Sequence, residues 1–214
     1  MGILYNGING AITGKLGGMN TYVDKFGRQI IKTNGKKSYV TKAEKGNQQG
    51  TALISEFLNS VKDIIKIGFQ NIPAGKKWHY YNHATSVNKK QAIKSIYPTK
   101  EIDYEKVMFS AGDIPVPKKP IVTLNNSMLE FTWEADLDTE GTDGRDQIML
   151  IAYFPQNLKS IKLLSGARRT EEKERLQLPL YTKDMVIETY ISYLSDDRKK
   201  LSDTIYTGQI NWNK

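Results

Sequence analysis

Residues 121–135 read IVTLNNSMLEFTWEA, two short apolar runs separated by a pair of asparagines. Apolar and polar residues alternate in each run, as in a strand with one buried face, and paired asparagines are typical of turns. The stretch therefore predicts a β-hairpin. Five more runs of this kind follow it: QIMLIAYF (147–154), KSIKLL (159–164), RLQLPL (175–180), MVIETYISYL (185–194) and KLSDTIYTG (200–208).

Seven short strands in under a hundred residues match the number and spacing of strands in an antiparallel β-sandwich. We expect residues 118–214 to form such a domain, of the immunoglobulin or fibronectin type III kind, with Trp133 in its core. The last two runs flank Ser195, Asp196 and Asp197 and predict the closing hairpin of the sandwich.

Upstream of these strands, residues 51–114 have the pattern of a helical region with a following strand. Apolar residues recur at helical spacing and predict a helix from Thr51 to Ile67, and a more polar helix is expected from Lys76 to Ser95. Alternation over Ile102 to Ser110 predicts a strand, and three prolines at 115, 117 and 120 predict a linker. The chain is thus expected to be an α+β protein.

The first fifty residues form a glycine-rich, basic segment, for which we expect an extended arm or a β-hairpin region. Eight of the seventeen glycines fall within residues 1–35. A phosphate-binding loop is excluded, because only three residues separate Gly10 from Gly14 and Leu16 follows Lys15. Glycine loses much backbone entropy on ordering, so such an arm is expected either to stay mobile or to be held by a partner. The expected partner contacts are Gly7, Gly10, Gly14, Lys15, Gly17 and Gly18.

The two halves of the chain carry opposite charge. Residues 1–100 contain 16 Lys and Arg against 4 Asp and Glu, a net charge of +12, whereas residues 101–214 contain 15 against 19, a net charge of −4. The basic half is suited to nucleic acid or to the acidic half of a neighbouring copy. Basic and aromatic residues are interleaved in this half. Basic side chains permit contact with phosphates, and aromatic rings permit stacking on bases. The candidates for that contact are Lys76, Lys77, Trp78, Tyr80, Lys89 and Lys90.

No constellation of catalytic residues is present in the sequence, and we expect no enzyme, cofactor or small-molecule substrate. Cysteine is absent and there are only two histidines. Asp136, Asp138 and Glu140 resemble the start of a calcium loop, but Gln147 stands where the bidentate glutamate should be, so they are at most a weak calcium candidate.

No apolar run approaches the length of a membrane span or of a secretory signal. We therefore expect a protein that is cytoplasmic or is incorporated into a particle assembled in the cytoplasm.

The chain resembles a family of short bacterial proteins classified as a domain of unknown function. The resemblance covers most of the length and rests on NGINGAITGKLGG in the leader, the helix that ends in IKIGF, the junction AIKSIYPTKEIDYEKVMFSAGDIP, the strands FTWEAD and IMLIAYFP, and the closing YISYLSDDRKKLSDTIYTG. It is loosest between Lys36 and Leu53. The resemblance implies a glycine-rich leader, a basic helical middle and a β-rich end, and it carries over no catalytic residues.

Two classes of function remain open. The first is a non-enzymatic structural or assembly protein, such as a component of a phage virion or other particle, which makes homo- or hetero-oligomeric contacts through its N-terminal arm. The second is a protein that binds nucleic acid without sequence preference through the basic residues 1–100.

Overall fold

The structure, a computed structural model, describes residues 2–4, 10–35, 39–71, 79–95, 97–179 and 184–213. The chain divides into two compact units, Met1–Thr41 and Lys42–Lys214. Within the described ranges there are three α-helices and four sheets whose strands pair antiparallel, so the predicted α+β class is confirmed. None of these helices is long and apolar enough to cross a membrane.

The first unit is a four-stranded antiparallel sheet. Its strands are β1 (Gly2–Leu4), β2 (Gly14–Leu16), β3 (Met19–Val23) and β4 (Gln29–Thr33), in the spatial order β1-β4-β3-β2. The β3–β4 turn is closed by Asp24, whose Oδ1 accepts hydrogen bonds from the backbone N–H groups of Phe26 and Arg28, both at 2.9 Å. The glycine-rich leader therefore contains regular sheet structure.

The helical region begins earlier than the apolar periodicity predicts. The predicted helix from Thr51 corresponds to α1 (Lys42–Ser60) and α2 (Lys62–Gly68). The early turns of α1 carry no apolar stripe, but Tyr97 and Lys100 of the following loop pack on them. A Cβ at Gly46 would lie 3.1 Å from the Cβ of Tyr97, so the missing side chain lets this loop approach the helix.

The second helix and the strand predicted after it are both shorter than the sequence indicates. Helix α3 spans Tyr80–Gln91, within the predicted range. In place of a strand over Ile102–Ser110, β5 (Ile93–Lys94) pairs with β6 (Glu101–Ile102), and a turn of 3₁₀ helix follows. The residues after this turn are held by side-chain hydrogen bonds and not by strand pairing. The Asn88 side chain donates a hydrogen bond to the Met108 carbonyl and accepts one from the Met108 N–H.

Seven strands occupy the C-terminal half, one at each predicted run, but the last begins at Ile205 and not at Lys200. They are β7 (Lys118–Asn125), β8 (Met128–Glu134), β9 (Gln147–Phe154), β10 (Lys159–Leu163), β11 (Lys173–Gln177), β12 (Met185–Leu194) and β13 (Ile205–Trp212). One sheet has the order β11-β8-β7 and the other has the order β10-β9-β12-β13. The predicted proline linker ends sooner than expected, because β7 is an edge strand and accommodates Pro120 where its register shifts.

The four-stranded sheet of the second unit is buried on both faces. Toward the three-stranded sheet, it contributes alternate residues such as Leu150 and Ile191 to a core that also holds the predicted Trp133. On the opposite face, Ile151, Tyr153 and Tyr190 share a second core with the three helices. The helices and the strands therefore form one compact unit, and the predicted division between residues 51–114 and 118–214 does not separate two units.

Candidate functional site

The glycines that we expected to contact a partner lie at turns and at the surface of the first unit. Gly17 and Gly18 join β2 to β3, and Gly17 adopts a φ of +57°, a left-handed conformation that favours glycine. A Cβ added at Gly10, Gly14 or either of these two would meet no atom within 4 Å. Gly7 lies outside the described residues.

One face of the first sheet exposes apolar side chains. Leu16 pairs directly with Met19, and Met19 and Val23 lie on the same side of β3, so the three side chains share a face. They are 54%, 37% and 40% exposed. On the opposite face, Lys15 of β2 and Lys32 of β4 lie in one row across the sheet, with β3 between them.

The backbone of residues 12–14 covers part of the apolar face. Thr21 and Gln29 lie between the exposed side chains, and both are buried. Thr21 Oγ1 donates to the Gly14 carbonyl at 3.2 Å, and Gln29 Nε2 donates to the Ile12 carbonyl at 2.9 Å. The uncovered part of this face is therefore a small apolar patch formed by Leu16, Met19 and Val23.

The candidates for nucleic-acid contact are not presented together in the described part of the chain. Lys76, Lys77 and Trp78 lie outside the described residues. Tyr80 packs partly buried against the helical core, and its ring lies against His79 at 4.1 Å between centroids. Lys89 and Lys90 occupy the last turn of α3, where positive charge stabilises a helix terminus.

The calcium candidates do not converge. Asp136 Oδ2 accepts a hydrogen bond from Thr139 Oγ1 at 2.7 Å, which ties this carboxylate into its own loop, while Asp138 and Glu140 are exposed. Throughout the described ranges, no three acidic or histidine side chains are grouped so that they could hold a metal ion.

A cleft of about 420 Å³ in the second unit brings together residues that are distant in sequence. It opens between α1, the β5–β6 hairpin and the end of β9. Phe57 and Tyr153 are buried at its floor, and Leu53, Ile102 and Tyr104 form its walls. The rim carries charged and apolar side chains: Glu56, Lys94, Lys100, Glu101 and Leu158.

Tyr153 places a polar atom at the apolar floor of this cleft. Its ring packs edge-on against Phe57 at 4.9 Å and lies 5.8 Å from the Tyr104 ring. Its hydroxyl is buried and makes no hydrogen bond of normal geometry. Burial raises the pKa of Tyr153, and the neighbouring Tyr104 and the Glu56 carboxylate raise it further.

A buried carboxyl group lies beside this tyrosine on the next strand. Glu188 of β12 pairs directly with Tyr153 of β9, so both side chains are on the face that the helices cover. Glu188 accepts a hydrogen bond from the Tyr206 hydroxyl at 2.7 Å, and burial raises the pKa of its carboxyl. The Tyr190 hydroxyl donates to the backbone carbonyl of Tyr104 at 3.0 Å, which fixes the cleft wall to the sheet.

The arrangement is suited to binding by hydrogen bonds and charge. Phenol hydroxyls can donate or accept, and the nearby carboxylates accept. Within the described residues neither histidine joins this cluster, because His79 caps the N-terminus of α3 and His83 packs edge-on against Phe69 at 5.3 Å.

None of the cleft residues was predicted to form a site. They come from α1, the β5–β6 hairpin, β9 and β12, and no spacing rule links positions so far apart. One local signal was available: Glu188 interrupts the apolar run of β12 at a position that the helices cover. A buried charged residue needs a specific reason, so this glutamate marks the neighbourhood of the cleft.

Comparison with known proteins supports the resemblance seen in the sequence. No curated protein and no solved structure matches the chain. The model of one family, described as a family of unknown function (DUF6266), matches residues 16–208. That match spans the strands β3 to β12, all three helices and the cleft residues, and the chain therefore belongs to the DUF6266 family.

Proposed function

We propose that the protein is a non-enzymatic assembly protein whose N-terminal sheet packs on a second copy of the same chain. The observation that carries this proposal is the apolar patch formed by Leu16, Met19 and Val23, which is exposed on a sheet with almost no core of its own. Within residues 10–35 and 39–41, Ile30 is the only buried hydrophobic side chain. Units of this size rarely have enough buried apolar surface to be stable alone, so a partner that covers the patch would stabilise it.

The charge distribution favours a second copy as that partner. Residues 1–41 contain six Lys and Arg against one Asp, and residues 101–214 carry a net charge of −4. Two basic sheets meeting face to face would repel each other, whereas a basic sheet that meets the acidic half of the next copy is attracted. The contact is then head-to-tail, and repetition of such a contact builds a ring or a filament. A phage virion or similar particle is an assembly of this kind.

The strand order of the C-terminal half supports the immunoglobulin or fibronectin type III classification, which we retain as part of the proposal. The first, second and fifth strands form one sheet, and the third, fourth, sixth and seventh form the other. In the constant-type immunoglobulin arrangement the fourth strand joins the first sheet instead, so the fibronectin type III kind is the closer description. Sandwiches of this class are frequent structural modules, which agrees with a role in assembly.

The proposal is tested by measuring the mass of the full chain in solution by light scattering over a range of concentrations. We expect oligomers, and we expect the double variant Leu16→Glu/Met19→Glu to shift the mass toward the monomer. Tyr39→Glu is the matched control, because Tyr39 is an exposed aromatic residue of the same unit that lies outside the sheet. A monomer at every concentration contradicts the proposal.

Nucleic-acid binding is the other outcome of the same experiment. If the oligomer co-elutes with material absorbing at 260 nm and dissociates after nuclease treatment, nucleic acid joins the copies and the basic half is its binding surface. Retardation of nucleic acid by the full chain at low salt, lost steeply as salt rises, would support that reading in place of direct contact between copies.

A further inference from the structure

We propose that the cleft between α1, the β5–β6 hairpin and β9 binds a zwitterionic α-amino acid with an aliphatic side chain. The cleft volume of about 420 Å³ lies within the range of ligand pockets, roughly 300 to 1,000 Å³, and suits a molecule of one small residue. This binding site lies wholly within the second unit and does not depend on the contact between copies.

The hydroxyl of Tyr153 gives the cleft an unsatisfied polar floor. A buried hydroxyl without a partner is unfavourable, and most such groups in folded proteins do have one. The surrounding floor and walls are apolar or aromatic, and the neighbouring Tyr104 side chain makes no hydrogen bond of normal geometry with this hydroxyl. A ligand atom in the cleft would satisfy the Tyr153 hydroxyl and gain a hydrogen bond in a partly dry site.

The same end of the cleft is suited to an ammonium group. Glu56 lies close enough to influence both Tyr153 and Tyr104, and it makes no ion pair within the described residues. An ammonium group has three donors and no acceptor, which matches a carboxylate and phenol oxygens that accept.

The rim of the cleft also carries positive charge, which is suited to a carboxylate. Lys94 and Lys100 lie at the rim, and neither makes an ion pair in the described part of the chain. The Lys100 side chain runs along α1, and its Nζ would lie 3.5 Å from a Cβ at Gly50. Because Gly50 has no side chain, the Lys100 ammonium group can lie close to α1, beside the cleft. The presence of both signs of charge in one small cleft selects a zwitterion over a singly charged ligand.

The apolar rim accounts for the side chain of the ligand. Leu53, Ile102 and Leu158 line the cleft, and Leu158 is 44% exposed. An aliphatic ligand side chain would cover this surface and remove it from water.

The test is calorimetric titration of the full chain with L-leucine. We expect saturable binding, with little or no binding of L-leucinamide, which lacks the carboxylate, or of N-acetyl-L-leucine, which lacks the ammonium group. The dipeptide Leu-Leu distinguishes a free amino acid from a peptide terminus, because the proposal predicts that the dipeptide binds more weakly.

Two near-isosteric variants test the roles of individual groups. Tyr153→Phe removes only the hydroxyl and is expected to weaken binding roughly tenfold, and Glu56→Gln is expected to weaken it by roughly tenfold or more. Tyr193→Phe is the matched control, because Tyr193 also has a buried hydroxyl without a partner but belongs to the core between the two sheets. It should leave the affinity unchanged.

Three results would overturn the proposal. They are the absence of L-leucine binding, equal binding of the two blocked analogues, and unchanged affinity in both cleft variants.

Discussion

Tyr153 and Glu188 occupy directly paired positions on the neighbouring strands β9 and β12, and both side chains are buried under the helices. The Tyr153 hydroxyl has no hydrogen-bond partner, whereas the Glu188 carboxyl is held by the Tyr206 hydroxyl. Two polar groups therefore lie in one row of a sheet face that is otherwise largely apolar. The Glu188 carboxyl makes the stability of this helix–sheet interface depend on pH.

Glu188 is expected to lower stability as its carboxyl ionises. Burial raises the pKa of Glu188 above its ordinary value of 4.5, Glu105 raises it further, and Lys94 and the Tyr206 hydrogen bond oppose the shift. The folded protein therefore keeps this proton to a higher pH than the unfolded chain, so this contribution to stability is lost as pH rises from 4.5 through the folded pKa.

The variant Glu188→Gln should be more stable than the parent at neutral pH and should lack this dependence. Urea denaturation between pH ~4 and pH ~8 measures both. Glu140→Gln is the control, since Glu140 is exposed and does not act on the Glu188 carboxyl. If the parent and Glu188→Gln show the same pH profile, then Glu188 does not titrate differently in the two states.

The buried ion pair between Arg169 and Asp146 should be sensitive to loss of its charge. Arg169 is fully buried, donates to Asp146 Oδ2 from Nη2 at 3.0 Å, and lies 3.9 Å over the Tyr193 ring. Asp146→Asn leaves a buried guanidinium without its counter-charge and should cost about 3 kcal/mol or more of unfolding free energy.

Asp143→Asn should change stability little, because the ion pair of Asp143 with Arg145 is exposed to solvent. Guanidinium denaturation compares the two variants. Equal effects on the denaturation midpoint would mean that the Arg169–Asp146 pair has no special role.

Two helical glycines should respond in opposite directions to the same substitution. A Cβ at Gly50 would make ordinary contacts with the flexible Lys100 side chain, at 3.5 Å or more, and with Ile93 Cγ1 at 3.8 Å, so Gly50→Ala should stabilise α1 by up to about 1 kcal/mol. A Cβ at Gly68 would lie 2.0 Å from the Phe109 carbonyl oxygen, so Gly68→Ala should strongly destabilise the protein. Thermal melts give both signs. A lower melting temperature for Gly50→Ala would contradict the packing described for α1.

If opposite charges draw the copies together, reversing the charge of lysines on the first sheet should slow their association. The double variant Lys15→Glu/Lys32→Glu reverses the charge of two lysines on the face opposite the apolar patch. A change in the association rate therefore reflects attraction between copies and not packing of the patch. We expect slower association and a smaller dependence of the association rate on salt, measured by stopped-flow light scattering after dilution. An unchanged rate at low salt would argue against attraction between basic and acidic halves.

The strands of the second unit were predictable because their signals are local. The alternation in MLEFTWEA and the asparagines before it place a hairpin without reference to the rest of the chain. The start of α1 was not predictable, because residues 42–50 form a helix around Gly46 and Gly50 only where the loop with Tyr97 packs on it. The sheet of the first unit was equally hidden, since strands of three to five residues between glycines give little periodicity.

The cleft depends on contacts between distant parts of the chain. Glu56, Lys94 and Tyr153 are unremarkable in their own segments, and only the packing of α1 and the hairpin on β9 brings them together. Sequence patterns report which side of an element is buried. They do not report which two elements meet, and that is why this site was missed.

Site-specific photo-cross-linking from the apolar patch tests whether the N-terminal sheet contacts a second copy. Leu16 is replaced by a photo-reactive amino acid in an equal mixture of isotope-labelled and unlabelled full-length chains, so that mass spectrometry separates links between copies from links within one chain. The account predicts mixed-isotope links from position 16 to residues 101–214 of another copy. Links confined to single chains, or links between copies that join position 16 only to residues 1–41, would contradict it.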